Sequence, residues 1–166
     1  MNYIAACEYY TGNYENALRA LKHLHNQEPS NLELIYEIGL INLENVKNHQ
    51  EALYYFTLGK KLFKENLSKV YGEAFEVVMD PADAPDIYFF IFEGRAQANM
   101  ALKNYHEACT DCNWAIHLRP NEAQSYVTRA IAKSHFPNKT GLCDDLEKAK
   151  RLGIQNLQDL EAKYCR

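Results

Sequence analysis

Five cysteines, two recurring arginine–aspartate pairs and one His-Glu dipeptide are the residues of this 166-residue chain with the types and spacing to do chemistry. His106-Glu107-Ala108-Cys109-Thr110 opens like the helix of a zinc protease. That motif needs a second histidine one turn later, and Thr110 stands in its place. His106, Cys109 and Cys112 follow one another at three-residue spacing, which could present metal ligands on one helix face. Cys109 recurs as Cys143, however, and Cys112 falls on an apolar stripe, so these thiols read as small core hydrophobes. His23 and His25 are two apart, do not share a helix face, and read as solvated. Arg95 with Asp111, and Arg129 with Asp145, have the same separation in the chain. A single such pair could bind an anion or move a proton. Recurrence at matching places favours a repeated bridge between adjacent helices instead. Trp114 adjoins Ala115 and reads as packed between units rather than as a ligand platform. No Gly-rich phosphate loop, serine-centred elbow or paired-carboxylate cluster assembles, so no catalytic residue, metal or cofactor is expected.

The composition bounds what such residues could serve. Hydrophobic residues make up 47% and charged residues 24%, the balance of an ordinary folded domain. Eighteen Lys and Arg against 22 Asp and Glu give a net charge of −4, with no basic tract. A nucleic-acid surface is therefore not expected. The longest apolar run, Ile87-Tyr88-Phe89-Phe90-Ile91-Phe92, is far too short to span a membrane. The N-terminus carries no signal-peptide pattern, although Met1 opens almost at once into a helical pattern, which leaves open whether it is the natural start. An odd number of cysteines in a chain of this size predicts free thiols, a reducing compartment and hence the cytoplasm, export of a longer natural chain being left open.

Those residues sit in a repeat. Residues 87–119 laid on 121–153 give eight identities: Arg95/Arg129, Ala96/Ala130, Ala98/Ala132, Asn104/Asn138, Cys109/Cys143, Asp111/Asp145, Ala115/Ala149 and Leu118/Leu152. The N-terminal half repeats more loosely through Asn13/Asn48, Ala17/Ala52 and Leu18/Leu53. Each unit reads as two amphipathic helices joined by a short polar turn, with small residues such as Ala96 and Ala130 where helices come closest.

On these residues the chain resembles the tetratricopeptide repeat family. Tyr105-His106-Glu107-Ala108, Ala115 and Pro120 match the family pattern in order. So do Gly12-Asn13-Tyr14-Glu15-Asn16-Ala17, Leu21 and Pro29, and further on Tyr126, Ala130, Ala149 and Leu152-Gly153. The second unit departs from the pattern. Gly39 fits the small position, but the turn at 44–49 holds one extra residue, and Lys64 stands where proline is usual.

The expectation is one all-α domain over 1–166, a right-handed α-solenoid of about four such helix pairs with a C-terminal capping helix. The repeats fall at 1–30, 31–64, 87–120 and 121–153, with helices near 2–10, 14–26, 31–44, 48–64, 86–101, 105–118, 122–134 and 141–152. Residues 65–85 form a helical extension and loop. The spacing of Leu67, Val70, Ala74 and Val78 allows the preceding helix to continue to about Met79 or a separate helix to follow a kink. Residues 154–166 hold the cap, with Leu157, Leu160 and Tyr164 facing inward.

A solenoid of this kind presents a concave groove lined by the first helix of each pair, and the expected function is to bind a protein or peptide segment there. The expected groove residues are Tyr9, Tyr10, Tyr36, Glu93, Gln97, Met100, Val127 and Ile131. Arg95, Asp111, Arg129, Asp145, Ala96 and Ala130 are expected to be structural. The resemblance adds that chaperone-binding family members hold a peptide's terminal carboxylate with Lys and Asn on successive inner helices. The matching places here hold Asn2 and Ala6, Tyr36 and Leu40, Glu93 and Gln97, then Val127 and Ile131. With no lysine and with Glu37 and Glu93 nearby, an apolar or mildly basic segment is favoured over an acidic tail. Self-association through the aromatic N-terminus or the 65–85 extension is the alternative. An all-α metal or thiol enzyme is a remote third.

Overall fold

The computed structural model describes residues 3–74, 76 and 79–165. All regular structure among them is helical. Helix α1 spans Tyr3–Tyr10 and α2 spans Tyr14–Gln27. Helix α3, Leu32–Ile41, passes into a π-helical turn at Asn42–Val46, and α4 runs over His49–Tyr71. A 3₁₀ turn at Pro81–Asp83 precedes α5, Asp86–Ala101. Then come α6 at Tyr105–Leu118, α7 at Ala123–Ser134, α8 at Leu142–Arg151 and α9 at Gln158–Tyr164.

The turns inside the first three pairs share one construction. Gly12, Lys47 and Lys103 each take a left-handed backbone conformation, with φ of 81°, 61° and 63°, and an asparagine follows each. The left-handed residue reverses the chain, and the asparagine starts the outer helix. Asn48 closes its helix end by accepting from the Glu51 amide at 3.2 Å. The extra residue of the second unit is absorbed before its turn. The chain widens to the π-helical turn, and the buried Asn42 donates its side-chain amide to Ile38 O at 2.8 Å. The helix-turn-helix frame is thereby kept.

Pairs α1–α2, α3–α4, α5–α6 and α7–α8 pack within themselves, and α2–α3, α4–α5 and α6–α7 join consecutive pairs. The first helices also touch each other, α3 with α5 and α5 with α7, whereas the second helices have no comparable mutual contact among the described residues. The array therefore bends toward its first helices, and these line the inner side.

Close approach is purchased with small residues. A Cβ on Gly39 would lie 2.7 Å from the Phe56 ring, and one on Gly94 would lie 2.5 Å from the same ring. Phe56, on α4, is thus held between a glycine of its own pair and a glycine of the next. Ala96 and Ala130 are both buried. Trp114 stacks on Phe92 with centroids 5.7 Å apart and meets the edge of Phe63 at 5.2 Å, which packs it between units.

Helix α4 continues past the expected end at 64, because Lys64 does not break it as proline does. It stops at Tyr71, where Gly72 adopts φ 76°. The continued helix buries Leu67 in a cluster with Met79, Tyr88 and Phe89, and Asn66 donates to the Tyr88 hydroxyl at 3.0 Å. The apolar spacing through Val70, Ala74 and Val78 is not one helical stripe: Val70 and Ala74 are exposed, and Val78 lies outside the described residues, as do Met1 and Asn2.

Two cysteines require a correction. Cys143 and Cys165 form a disulfide, so the expected free thiols do not include these two, and the reducing compartment inferred from them loses part of its basis. Cys143 also does not serve as a simple core hydrophobe. Cys7, Cys109 and Cys112 are free.

Candidate binding groove and its polar supports

Beneath the inner face, the two recurring pairs meet as ion pairs. Arg95, on α5, donates through Nη1 to Asp111 Oδ1 on α6, and Lys60 of α4 reaches the same oxygen at 3.3 Å. Asn99 donates to Asp111 Oδ2 at 2.9 Å. Asp111 is wholly buried. Burial pushes its carboxyl above the ordinary aspartate value, and the Arg95 and Lys60 charges oppose that rise. Arg129, on α7, grips Asp145 of α8 through Nε and Nη2, and Lys133 adds a bond at 2.8 Å. The sequence did not disclose how each knot reaches the preceding unit. Arg95 Nε donates to the Thr57 hydroxyl at 3.1 Å, and Arg129 Nη1 donates to Asn113 Oδ1 at 2.7 Å. Thr57 and Asn113 occupy equivalent places on α4 and α6. One arginine therefore ties its own pair together and also ties it to the pair before.

Over this support, α3, α5 and α7 present the groove side chains. The Tyr36 ring lies 5.8 Å from Phe90 and 6.3 Å from Phe56. Burial raises the Tyr36 phenol, and Glu44 and Glu93 raise it further. Glu93 is half-buried and accepts from the Ser125 hydroxyl at 3.3 Å. Burial pushes the Glu93 carboxyl up, an effect that the Ser125 bond and Arg119 reduce and Glu122 increases. Arg119 lies over the rings of Phe89 and Phe90 at 4.9 and 5.0 Å and pairs with Asp86. The centre of the face is thus aromatic and acidic, and the Arg119 guanidinium beside it is engaged by Asp86 and Glu122.

The expected groove residues do not all fall alike. Gln97 is exposed, and Met100 and Tyr36 are half-buried. Tyr10 is 85% exposed, while Tyr9 packs against the N-terminal core with its ring against Tyr10 and Tyr14. Val127 is 8% exposed and belongs to the C-terminal core, so packing, not contact with a partner, takes its side chain. Ile131 packs partly against that same core. Phe90, Ser125 and Arg119 belong to the face and were not foreseen. Phe90 was available as a signal: Phe89 and Phe92 share the buried side of α5, which leaves the residue between them facing outward.

Burial raises the Cys109 and Cys112 thiols, which disfavours the thiolate that a thiol enzyme needs. Among the described residues, no three His, Cys, Asp or Glu side chains gather as a metal site, and His106 stands exposed near Phe136. No described helix is long and apolar enough to cross a membrane.

No family model matches the sequence. Among curated proteins, the chain is 30% identical over 144 residues to RNA polymerase II-associated protein 3 of Xenopus tropicalis, covering 87% of this chain and 21% of that protein. It is 32% identical over 109 residues to the Xenopus laevis protein of that name, covering 66% of this chain and 16% of the relative. A Dictyostelium discoideum homologue of DnaJ homolog subfamily C member 7 is 24% identical over 149 residues, covering 89% of this chain and 26% of that protein. The chain thus spans about a fifth of the length of the first two relatives. Among solved structures, the MamA protein aligns over 97% of this chain and 91% of its own at 16% identity, with a TM-score of 0.40, a likeness too distant to carry weight. Repeated helix pairs and the shared turn, together with these relatives, support one assignment: a protein of the tetratricopeptide repeat type.

Proposed function

We propose that the chain is a non-catalytic interaction module that holds a protein segment against the inner face of α3, α5 and α7. The observation that carries this reading is the patch of Tyr36, Phe90 and Glu93, where two rings 5.8 Å apart adjoin a half-buried carboxylate. Aromatic side chains supply contact area with little entropy to lose, and Gln97 can hydrogen-bond a peptide backbone. A carboxylate arriving there meets Glu93 and Glu44, whereas a lysine or arginine meets a complementary charge. The preferred segment is therefore apolar with a basic residue.

The test is titration of neutral, basic and acidic peptides at two salt concentrations, with the Glu93→Lys variant in parallel. The expected result is basic over acidic, reversed or abolished by Glu93→Lys. Tight, salt-sensitive binding of the acidic set to the unaltered chain overturns the reading.

Self-association is the second reading. It rests on the exposure of Tyr3, Ile4 and Tyr10 along α1, which are 86%, 66% and 85% exposed. The 65–85 extension supports it less, because Leu67 and Met79 are already buried against α5 residues. Light scattering of the chain with and without Ile4→Glu separates the readings.

A further inference from the structure

The cap and the repeat use one seat. Within the array, Cys109 of α6 lies with Sγ 3.9 Å from the Arg129 carbonyl on α7, the first helix of the following pair. One period later, Cys143 of α8 lies with Sγ 3.5 Å from the Tyr164 carbonyl on α9. Helix α9 therefore occupies, against the last pair, the place that a first helix occupies against the pair before it. Cys109 finds no cysteine there and stays free, whereas Cys143 finds Cys165 and forms the disulfide.

Helix α9 has seven residues, fewer than a helix needs to persist by itself in water. Its other ties include the packing of Leu160 and Tyr164 on the C-terminal core, a side-chain hydrogen bond between Tyr164 and Ser134 of α7, and the Lys150–Glu161 pair at 3.2 Å, which is open to solvent. Leu157, just before the helix, is buried. Cys165 is exposed and Cys143 half-buried, so an external thiol can reach the bond at Cys165.

We propose that Cys143–Cys165 is a thiol–disulfide exchange site that latches α9 over the end of the solenoid. The reacting partner is a thiol, either a small-molecule thiol or a dithiol protein. Its thiolate attacks Cys165 Sγ, the Cys143–Cys165 bond breaks, and the Cys143 sulfur leaves as a thiolate that takes up a proton. A second external thiolate then attacks the external sulfur of the mixed disulfide, forming a disulfide between the two external thiols and freeing Cys165, which is protonated in turn. The external thiols lose two electrons and the cystine gains two. Release of the latch lets α9 leave its seat and uncovers the part of the C-terminal core against which Leu160 and Tyr164 pack. The inference stands independently of what the groove binds.

The test uses the intact chain under three conditions: oxidised, equilibrated with glutathione at graded redox ratios, and as the Cys165→Ser variant. Mass spectrometry after thiol alkylation reads the bond, and amide hydrogen exchange reads residues 157–165. The expected result is a reversible two-electron transition across the glutathione series. In the reduced chain and in Cys165→Ser, protection of α9 should fall at least tenfold, while that of α5 and α6 is unchanged. Free Cys143 and Cys165 in the air-oxidised protein, a bond that no glutathione ratio reduces, or α9 equally protected in Cys165→Ser would each overturn the proposal. Cys109→Ser, at the equivalent place without a partner, should leave the transition unmoved.

Discussion

The second and third pairs place opposite chemistry at the same two positions. In the third pair these are Arg95 and Asp111, an ion pair reinforced by Lys60 and Asn99. In the second pair the equivalent residues are Ile38 and Tyr55, both buried in one apolar cluster with Ile35 and Ile41. The fourth pair repeats the ionic solution with Arg129, Asp145 and Lys133. Each case is a packed pair of helices joined by a turn, so the repeat fixes where two helices meet but not what fills the meeting point. The apolar filling gains from burial alone and tolerates small errors of geometry. The ionic filling gains little net free energy over it, because desolvating the charges offsets their attraction. Its consequence is directional: Arg95 and Arg129 each also bond to the preceding unit through Thr57 and Asn113, which ties consecutive pairs to one another.

The ionic filling should therefore be the more fragile to truncation. Asp111→Ala leaves Arg95, Lys60 and the buried Asn99 without their shared acceptor and should destabilise the chain by about 3–5 kcal/mol. Denaturant unfolding measures it. A loss below about 1 kcal/mol would place Asp111 with exposed surface pairs and erase the contrast with the Ile38–Tyr55 filling.

A second test concerns the boundary between the two regions. Phe56 of the second pair is packed between Gly39 and Gly94, so its ring cannot retreat from a new methyl on either side. Gly94→Ala should cost about 1–3 kcal/mol by overpacking, despite the better helix propensity of alanine. Combining it with Phe56→Leu should recover part of that cost. A neutral Gly94→Ala in thermal unfolding would show that the two halves are not wedged together at this ring.

How much of this was legible follows the same division. The alanines, the Asn-initiated outer helices and the Arg–Asp recurrence were readable because each is a residue type forced by close packing or by charge compensation at a fixed place. The extra residue of the second turn was visible, but its accommodation as a π-helical turn depends on Asn42 finding Ile38 O, which spacing does not encode. The end of α4 was obscured because Val70 and Ala74 continue a helical spacing after burial has ceased, whereas Gly72, the residue that stops the helix, looks ordinary in sequence. Cys143 resembled Cys109 so closely that its pairing with Cys165 was hidden: the bond depends on α9 taking the seat of a first helix, a tertiary event. In the groove, register located Tyr36, Glu93 and Gln97 on the inner helices. It misjudged Val127, because the last pair folds into one core with the segment around Leu157 and takes that side chain inward.

The smallest expected effect separates a charge that the fold has bridged from one it has not. Glu93 lies on the same helix as Arg95, yet the group that meets it is the Ser125 hydroxyl, and burial leaves its carboxyl above the ordinary glutamate value. A carboxyl shifted upward binds more protons folded than unfolded across the interval between its two pKa values. Stability therefore falls as pH rises through that interval, and the cost is full once the pH lies above the raised folded value. Glu93→Gln keeps an oxygen to accept from Ser125 and removes the charge. It should stabilise the chain at pH 7 by less than about 1 kcal/mol, since the side chain is still partly solvated. The gain should disappear below the ordinary glutamate range, where the unaltered residue is protonated in both states. Urea unfolding of both proteins from pH 4 to pH 8 gives the difference directly. A variant less stable than the parent at pH 7 would mean that the Glu93 charge is compensated after all, and that the inner face is less electronegative than its preference for a basic segment requires.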